Sequence, residues 1–220
     1  IEPLLMLSVL YFVFSSMFKF DIPNFPIYLL LGIIIYNCFR NGTTIALNSL
    51  TNRAPLLTQI YFPRSIPAIS SAITASIMLA IEVGILLIFM VAFQFVPPIT
   101  MLLLPLVLGL QFMFVVGVCL PLSVLNVKFK DTEFIWNVVV HASFFLTPIF
   151  YQFDMLPEYV QNILQFSPMV QILTMAHHVV LYGMLPTVNS ILYAVGSISV
   201  IMLIGYLIFR KYQTKIVEDM

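Results

Sequence analysis

Charged side chains are scarce in this sequence. Asp, Glu, Lys and Arg make up 8% of its 220 residues, and the formal net charge is zero. Soluble domains carry about 25% charged residues, so a chain with so few could not cover its own surface in water. Hydrophobic residues make up 61%, which is typical of an integral membrane protein. The neutral charge balance argues against nucleic acid as a partner.

Cysteine is rare too, and the sequence lacks the usual signatures of a metal or nucleotide site. Cys38 and Cys119 lie inside apolar runs, where we interpret them as small buried side chains. On a helix, the adjacent His177 and His178 would point about 100° apart, and no third ligand is nearby in the sequence. The phosphate-binding motif GxxxxGKS or GxxxxGKT is absent. We therefore expect that the chain itself binds no metal and no cofactor.

Long apolar runs dominate the chain, and none alternates with the period of two of a membrane β-barrel strand. A helix needs about 20 residues to cross about 30 Å of hydrocarbon. The runs therefore predict one all-α membrane domain, residues 1–220, with six transmembrane helices. The predicted spans are approximately residues 4–18, 27–49, 66–95, 101–126, 133–153 and 186–209. The first span looks clipped and no initiator Met precedes it, so we expect that the natural N-terminus is missing.

Basic residues alternate between the two sides of these spans. Seven lie on one side: Arg53, Arg64, Lys128, Lys130, Arg210, Lys211 and Lys215. Lys19 alone lies in the connections on the other side. Because basic residues are enriched in cytoplasmic loops, the pattern predicts a multi-pass protein of the cytoplasmic membrane with both termini in the cytoplasm.

A polar segment, TNRAPLLTQIYFPRSIP (residues 51–67), separates the second and third predicted spans. It can form a short helix over about residues 54–61, with Asn52 as a cap and a stop before Pro63. The helix would have an apolar stripe of Leu56, Leu57, Ile60 and Tyr61. Two interpretations stay open from the residue types. The segment is either a solvated loop or a helix that docks on a cytoplasmic partner.

One connection, residues 154–185, is long and contains no Lys or Arg. Its first part, DMLPEYVQNILQF, is amphipathic, and Pro157 suits the first turn of a helix. A second helix is predicted to start at Ser167 and Pro168 and to stop near Gly183. About 15 residues at ~1.5 Å each reach only ~22 Å, which is too short to span comfortably. The alternatives are a re-entrant hairpin in the outer leaflet and a lid on the bilayer surface.

Arg40 and Glu82 are the ionisable residues deepest in the predicted spans. A charge at that depth is costly and normally faces a partner or a cavity. The two residues lie at similar depth in consecutive antiparallel helices, which favours an Arg40–Glu82 ion pair. The alternative is that Arg40 faces a channel and meets an anionic pyrophosphate or a sugar.

Aromatic and polar residues also share positions well inside the second and fifth spans. Tyr36 and Phe39 lie in the second span, and Asn137, His141 and Phe145 share one face of the fifth. Such a mixture suits a sugar, since its C–H faces stack on rings while its hydroxyls need hydrogen bonds. With Arg40, these residues are the candidates for a channel or substrate contact. Ordinary helix packing is the alternative.

Three stretches resemble the permeases of type-2 ABC exporters, in the branch that exports polysaccharide, O-antigen or teichoic acid. They are SLTNRAPLLTQIYFPRSIPAISS, LNVKFKDTEFIW (residues 125–136) and FFLTPIFYQFDMLPEYVQNILQFSPM (residues 144–169). The first is similar to the coupling-helix segment, the second to the basic turn into the fifth span, and the third to the end of that span and the outer hairpin. The N-terminal amphipathic interface helix of the family has no counterpart here.

The resemblance implies a coupling helix at residues 54–61 on the ATPase and a gate hairpin at residues 154–185 near the channel exit. The expected ATPase-coupling residues are Arg53, Leu56, Leu57, Ile60, Tyr61 and Arg64. The expected gate residues are Pro157, Leu164, Pro168, Met169 and Leu173. As a gate, the apolar residues Leu164, Met169 and Leu173 would pack on the fifth and sixth spans.

The function that follows is that of a non-enzymatic permease subunit exporting a lipid-linked polysaccharide. Its expected partners are a second copy of itself, two copies of an ABC ATPase that bind ATP and Mg, the glycan and the lipid bilayer. A type-2 exporter of drugs or small lipids is the alternative. A secondary transporter would more typically show inverted repeats and ion-binding carboxylates, and a membrane enzyme would need a cluster of Asp, Glu or His. Asp131 with Glu133 is too small a cluster for that.

Overall fold

The computed structural model describes residues 2–14, 22, 24–53 and 63–213, and these residues contain helices but no β-strand. The α-helices are α1 (Glu2–Val13), α2 (Phe25–Leu47), α3 (Ser65–Ala92), α4 (Leu104–Lys128), α5 (Thr132–Leu146), α6 (Glu158–Leu164), α7 (Pro168–His177) and α8 (Val188–Tyr212). Short 3-10 turns cover Thr51–Arg53, Ile99–Leu103 and Phe153–Met155, and a π-helical turn covers His178–Tyr182. The predicted all-α class is confirmed for this part of the chain.

Within the described part of the chain, three helices are long and apolar enough to cross a membrane, and they match the third, fourth and sixth predicted spans. They are Ser65–Ala92, Ile99–Lys128 and Val188–Tyr212. As far as the structure describes them, helices α1 and α5 have 12 and 15 residues, fewer than the ~20 that a span needs. Helix α2 has 23 residues but is less apolar, because it contains Asn37, Arg40 and Asn41. Six spans are therefore not confirmed.

The fifth predicted span, residues 133–153, extended too far. Helix α5 ends at Leu146, and Thr147 has extended backbone angles, φ −82° and ψ 134°. Thr147 precedes Pro148, and a proline disfavours the helical conformation of the residue before it. The apolar run continues through this proline, so hydropathy alone does not mark the end of the helix.

Helix α2 lies at the centre of the bundle. It contacts α1, α3, α4, α5 and α7, and residues along its whole length are buried, with Leu29, Leu30 and Ile35 at 0% exposure. An apolar helix is stable in lipid as well as in a protein core, so the run FPIYLLLGIIIY does not by itself place α2 at the centre. The buried polar residues Asn37 and Thr43 of α2 favour that position, because polar groups that face lipid are costly.

Helices α4 and α8 approach each other most closely at two glycines. A Cβ atom on Gly205 would collide with the carbonyl oxygen of Gly117, and one on Gly117 would lie 3.1 Å from the side chain of Met202. Small residues allow helix backbones to touch and so to gain dispersion contacts in a membrane. This contact fixes where the fourth and sixth predicted spans cross.

The predicted pair of short helices between Pro157 and Gly183 is present. Pro157 precedes α6 and Pro168 is the first residue of α7, as expected for a residue that lacks a backbone N–H. Gly183 has φ +65° and follows the π-helical turn, a left-handed conformation that glycine adopts without strain. A re-entrant position in a membrane is not confirmed.

The packing of this hairpin differs from the prediction. Its second helix, α7, packs mainly on α2, α4 and α8, so the sixth predicted span is a neighbour but the second and fourth replace the fifth. Met169 and Leu173 are buried, while Leu164 is half-buried and Pro157 is exposed. Since α7 lies inside the bundle, it does not fit a lid on the surface; only α6 is peripheral.

Helix ends gather at two ends of the bundle. We call the hairpin end the one formed by α6, α7 and the starts of α2, α4 and α8. There the hydroxyl of Thr100 donates to the carbonyl of Val179 at 2.7 Å. We call the basic end the one formed by the start of α3 and the ends of α2, α4 and α8. The hairpin end corresponds to the predicted outer side and the basic end to the predicted cytoplasmic side.

Candidate functional site

Two of the channel candidates, Tyr36 and Phe39, lie inside the chain rather than on an open surface. The hydroxyl of Tyr36 donates to the carbonyl of Val140 on α5 and lies 2.8 Å from the hydroxyl of Ser143. Its ring meets the edge of Phe144 at 5.2 Å. At 2% exposure, Tyr36 joins α2 to the inner face of α5. For this residue, ordinary helix packing describes the contacts.

Phe39 has a comparable role one turn further along α2. Its ring stacks on Phe114 of α4 with centroids 5.1 Å apart and meets Trp136 of α5 edge-on at 6.0 Å. Such offset and edge arrangements are favourable beyond the burial of apolar area. The cluster joins three helices and leaves Phe39 only 7% exposed.

The other face of α5 is largely exposed in the described part of the chain and presents the remaining candidates. His141 is exposed, and its Nδ1 lies 2.6 Å from the carbonyl of Asn137, which is half-buried. Phe145 is 65% exposed. Large apolar residues share this surface: Phe134, Ile135, Val138, Val139 and Leu146. We call it the α5 outer face; it combines rings, an amide and an imidazole, as the sequence predicted.

Arg40 makes its ion pair with Glu2 on α1, so the predicted direct pair with Glu82 is wrong. Glu82 is half-buried on α3 and still interacts electrostatically with both Glu2 and Arg40. The side chain of Arg40 keeps 32% of its area exposed. Glu2 lies just before the first predicted span, and nothing in the sequence places α1 beside the second half of α2.

The basic end is held together by polar contacts between helix ends. Arg64, just before α3, donates a hydrogen bond to the carbonyl of Gln213 beyond α8. The ammonium of Lys128 at the end of α4 lies 4.3 Å from the centroid of the Tyr212 ring, a favourable cation–π distance. Asn126 donates to the carbonyl of Leu47 at 3.0 Å. The ends of α2, α3, α4 and α8 are therefore linked through side chains.

The predicted coupling helix, residues 54–61, lies outside the described residues, and with it Leu56, Leu57, Ile60 and Tyr61. The structure describes the chain on both sides of it. Arg53 closes the 3-10 turn after α2, and Arg64 begins the approach to α3. The linked helix ends at the basic end thus flank the place where this segment enters and leaves.

The hairpin end contains a pocket of about 400 Å³ that the sequence analysis did not find. Its floor is formed by Tyr28 and His177, whose rings stack with centroids 3.7 Å apart. The hydroxyl of Tyr28 donates to the carbonyl of Tyr151 at 2.7 Å, and Nε2 of His177 lies 3.2 Å from the carbonyl of Tyr28. Burial lowers the pKa of His177 to about 3, so its ring is neutral near pH 7.

Polar side chains from four separate segments line the rest of this pocket. They are Gln152, Asp154, Gln171, Thr174, His178, Tyr182 and Ser190. Burial lowers the pKa of His178 as well, and the nearby Asp154 carboxylate opposes that shift. A sequence signal existed, since polar residues are concentrated in and beside the long connection. It gave no indication that Tyr28 and Ser190, from distant helices, lie against them.

A family model described as "ABC-2 type transporter" matches residues 1–181 of the chain. The chain belongs to the ABC-2 type transporter family. This confirms the predicted family, and with it the interpretation as a membrane transport subunit. Residues 182–220 lie beyond the match, so α8 is the helix of this ABC-2 transporter that the family model does not include.

Relatives of this ABC-2 transporter extend over almost the whole chain. Two proteins of Klebsiella pneumoniae, each named O-antigen export system permease protein RfbA, are 27% identical over 222 and 219 residues; both alignments cover 99% of this chain and 84% of the relative. A protein of the same name from Myxococcus xanthus is 24% identical over 205 residues, which is 92% of this chain and 78% of the relative. The ABC-2 permease therefore resembles the O-antigen export branch that its sequence motifs indicated.

Proposed function

We propose that this ABC-2 permease exports a lipid-linked polysaccharide, of the O-antigen, teichoic acid or capsule type, across the cytoplasmic membrane. The observation that carries the proposal is the similarity to O-antigen export permeases over 99% of the chain. In this proposal the basic end, with both termini, faces the cytoplasm and the hairpin end faces outwards. Basic residues are concentrated in the connections at the basic end, which supports that orientation.

The working unit would be two copies of the permease with two copies of a separate ABC ATPase, which bind ATP and Mg. The α5 outer face supports a second copy. Asn137 and His141 would be costly against lipid but are suited to a water-filled path or to another chain. Phe145 on the same face offers a ring on which a sugar could stack. A path between two such faces would hold aromatic and hydrogen-bonding groups for a glycan.

Coupling to ATP hydrolysis is assigned to residues 54–61. The linked helix ends at the basic end support this assignment. A push on the segment between Arg53 and Arg64 reaches α8 through the Arg64–Gln213 hydrogen bond. It reaches α2 and α3 through the backbone itself. Since Asn126 of α4 donates to the carbonyl of Leu47 at the end of α2, a force at this segment has a route to α2, α3, α4 and α8.

The test is export by the purified permease and its ATPase in inside-out vesicles that contain an undecaprenyl-linked glycan. ATP should move the glycan into the vesicle lumen, where an added glycosidase cannot digest it. ATP replaced by a non-hydrolysable analogue is the control and should leave the glycan digestible. If ATP drives accumulation of hydrophobic drugs or short lipids but never protects the glycan, the polysaccharide assignment is wrong.

A further inference from the structure

We propose that the pocket at the hairpin end binds one neutral sugar residue of the exported glycan. This inference rests on the proposed function and deepens it, since it adds a recognition site apart from the α5 outer face. The pocket lies between α7 and the starts of α2 and α8, and Thr174, His178 and Asp154 line it. Its volume of about 400 Å³ is within the range of roughly 300–1,000 Å³ in which proteins hold small molecules.

Several polar groups at the pocket have no hydrogen-bond partner in the part of the chain that the structure describes. They are the hydroxyl of the half-buried Thr174, the ring nitrogens of the half-buried His178 and the carboxylate of the exposed Asp154. Half-buried polar groups such as the first two are normally paired with protein, water or a ligand. Together they offer a donor and acceptor hydroxyl, a neutral imidazole and an acceptor-only carboxylate. The hydroxyls of a sugar both donate and accept hydrogen bonds, so they can pair with all of these groups.

Aromatic rings supply the second requirement of a sugar site. Tyr28 and His177 form a stacked pair in the floor of the pocket. Tyr182 is held in place by the amide of Gln152, which donates to its hydroxyl at 2.8 Å. Tyr182 also meets the ring of His178 edge-on at 6.0 Å. Tyr28 and His177 are only 3% and 4% exposed and close the floor, so the half-buried ring of Tyr182 is the apolar surface beside the unpaired polar groups.

The charge of the pocket selects against the other plausible ligands. Among the described residues neither Lys nor Arg lines it, and burial lowers the pKa of both histidines, so the described lining offers a phosphate or pyrophosphate no positive charge. A metal ion is disfavoured too, because the described residues contain no group of three or more His, Cys, Asp or Glu that could hold one. Of the three kinds of ligand, the described lining therefore favours a neutral polyol such as a sugar.

Binding at such a site has to be weak. A polymer that passes through must enter the site and leave it again, as a permeating ion does in a channel. We expect affinities for single sugars on the order of millimolar, the weak end of the usual scale. The site would then retain the glycan residue by residue at the exit without stopping its movement.

The experiment uses the full-length permease in lipid nanodiscs and saturation-transfer NMR with D-glucose, D-galactose, D-mannose, L-rhamnose and N-acetyl-D-glucosamine. At least one sugar should receive saturation from the permease, and the exported polysaccharide should displace that sugar. Thr174→Val keeps the shape of the side chain and removes its hydroxyl, so it should weaken binding about fivefold, the value of one hydrogen bond. Adding His178→Phe should weaken binding more than tenfold in total.

Thr74→Val is the matched control. It makes the same change on an exposed position of α3, where the hydroxyl bonds only to the carbonyl of Ser70 in its own helix. It should leave sugar binding unchanged. A thermal unfolding curve for each variant separates loss of the site from loss of the fold.

Three results would overturn the proposal. They are no saturation of any of these sugars by the wild-type permease, equal weakening by Thr74→Val and Thr174→Val, and binding of inorganic pyrophosphate with displacement of the sugar. The outcome is independent of the export assay. Export of the glycan without sugar binding would contradict the sugar site alone. Sugar binding without export of any glycan would contradict the proposed function and leave the sugar site supported.

Discussion

Aromatic side chains of α2 join helices that are far apart in the sequence. A ring deep in a span can face a channel or a neighbouring helix with the same local sequence, and Tyr36 and Phe39 face neighbouring helices. Their partners, Val140, Ser143 and Phe114, are about 75 to 107 positions away. Arg40 is a similar case. Its depth predicted a partner, whereas the choice of Glu2 over Glu82 depends on how α1 packs.

Tyr36→Phe should destabilise the permease by about 1 kcal/mol. The change removes the hydroxyl that bonds Val140 and Ser143, and one intramolecular hydrogen bond contributes roughly this amount. Ser143 also donates to the carbonyl of Val140 at 3.0 Å, so no group is left without a partner. Thermal unfolding in detergent measures the effect. Tyr206→Phe, at a position 52% exposed on α8, is the control, and an equal loss there would contradict the role of the Tyr36 bond.

His177 should make the fold sensitive to acid. Burial lowers its pKa to about 3 from an unfolded value of 6.5, so the unfolded chain binds a proton more readily between these values. The stability due to the neutral ring is fully present above pH 6.5 and decreases as the pH falls towards 3. Between pH 7 and 5 the loss should be about 2 kcal/mol.

The measurement is the midpoint of thermal unfolding as a function of pH. His177→Phe keeps a ring against Tyr28 and removes the titrating group, so the decrease below pH 6.5 should become shallower. His141→Phe, at an exposed position on α5, should keep the wild-type slope. A wild-type slope in the His177 variant would show that another group causes the acid sensitivity.

At the scale of elements, backbone chemistry was more predictable than packing. Pro157, Pro168 and Gly183 correctly marked the short helices of the hairpin, because proline and glycine act through local backbone geometry. Proline geometry also ends α5 at Leu146, just before Thr147 and Pro148. The apolar run continues past this point without a charge, so hydropathy did not predict the end of the helix. The pocket could not be predicted, since four separate segments contribute to it and their proximity is a property of the assembled bundle.

The contact between α4 and α8 provides a test at this scale. Gly205→Ala places a methyl group against the carbonyl of Gly117, and the helices can accommodate it only by moving apart. We expect a loss of about 1–3 kcal/mol, the usual cost of overpacking. Gly196→Ala, on the same helix with open space around it, should be neutral or slightly stabilising. Unfolding midpoints of the two variants in the same detergent make the comparison, and equal effects would argue against a backbone contact.

At the scale of the whole molecule, the lipid-facing and partner-facing surfaces differ in polarity. The exposed side of α3 presents Ile73, Ile77, Ile81 and Ile88, which are suited to hydrocarbon. The α5 outer face adds Asn137 and His141 to its apolar residues. We therefore expect two copies of the chain to approach each other through α5 rather than α3.

Spin labels test this arrangement. With a nitroxide on Val138→Cys, dipolar spectroscopy of the purified permease should give a shorter distance between copies than with the label on Ile81→Cys. The native Cys38 and Cys119 are buried and should label little. A longer distance from position 138 than from position 81, or no dipolar signal from either, would contradict the proposed dimer.

The ATPase should depend on residues 54–61 for its attachment. Replacing Leu57 and Ile60 together with Asp introduces two charges into the apolar stripe expected to dock on it, and charged groups at such an interface are costly to bury. Co-purification of the ATPase and its stimulated activity should both fall. Thr51→Asp, just before this segment, is the control. Full assembly with the ATPase and normal stimulated activity in the double variant would contradict the assignment of residues 54–61 as the ATPase contact.

The backbone contact of α8 at Gly205 divides that helix unequally. At ~1.5 Å per residue, Tyr212 at the basic end lies ~10 Å from Gly205, and Ser190 at the pocket lies ~22 Å from it. A rigid rod that turns about its tightest point moves its ends in opposite directions and in proportion to these arms. Displacing Tyr212 by ~1 Å would therefore move Ser190 by ~2 Å in the opposite direction, so a rigid turn of α8 about Gly205 would amplify a small displacement about twofold.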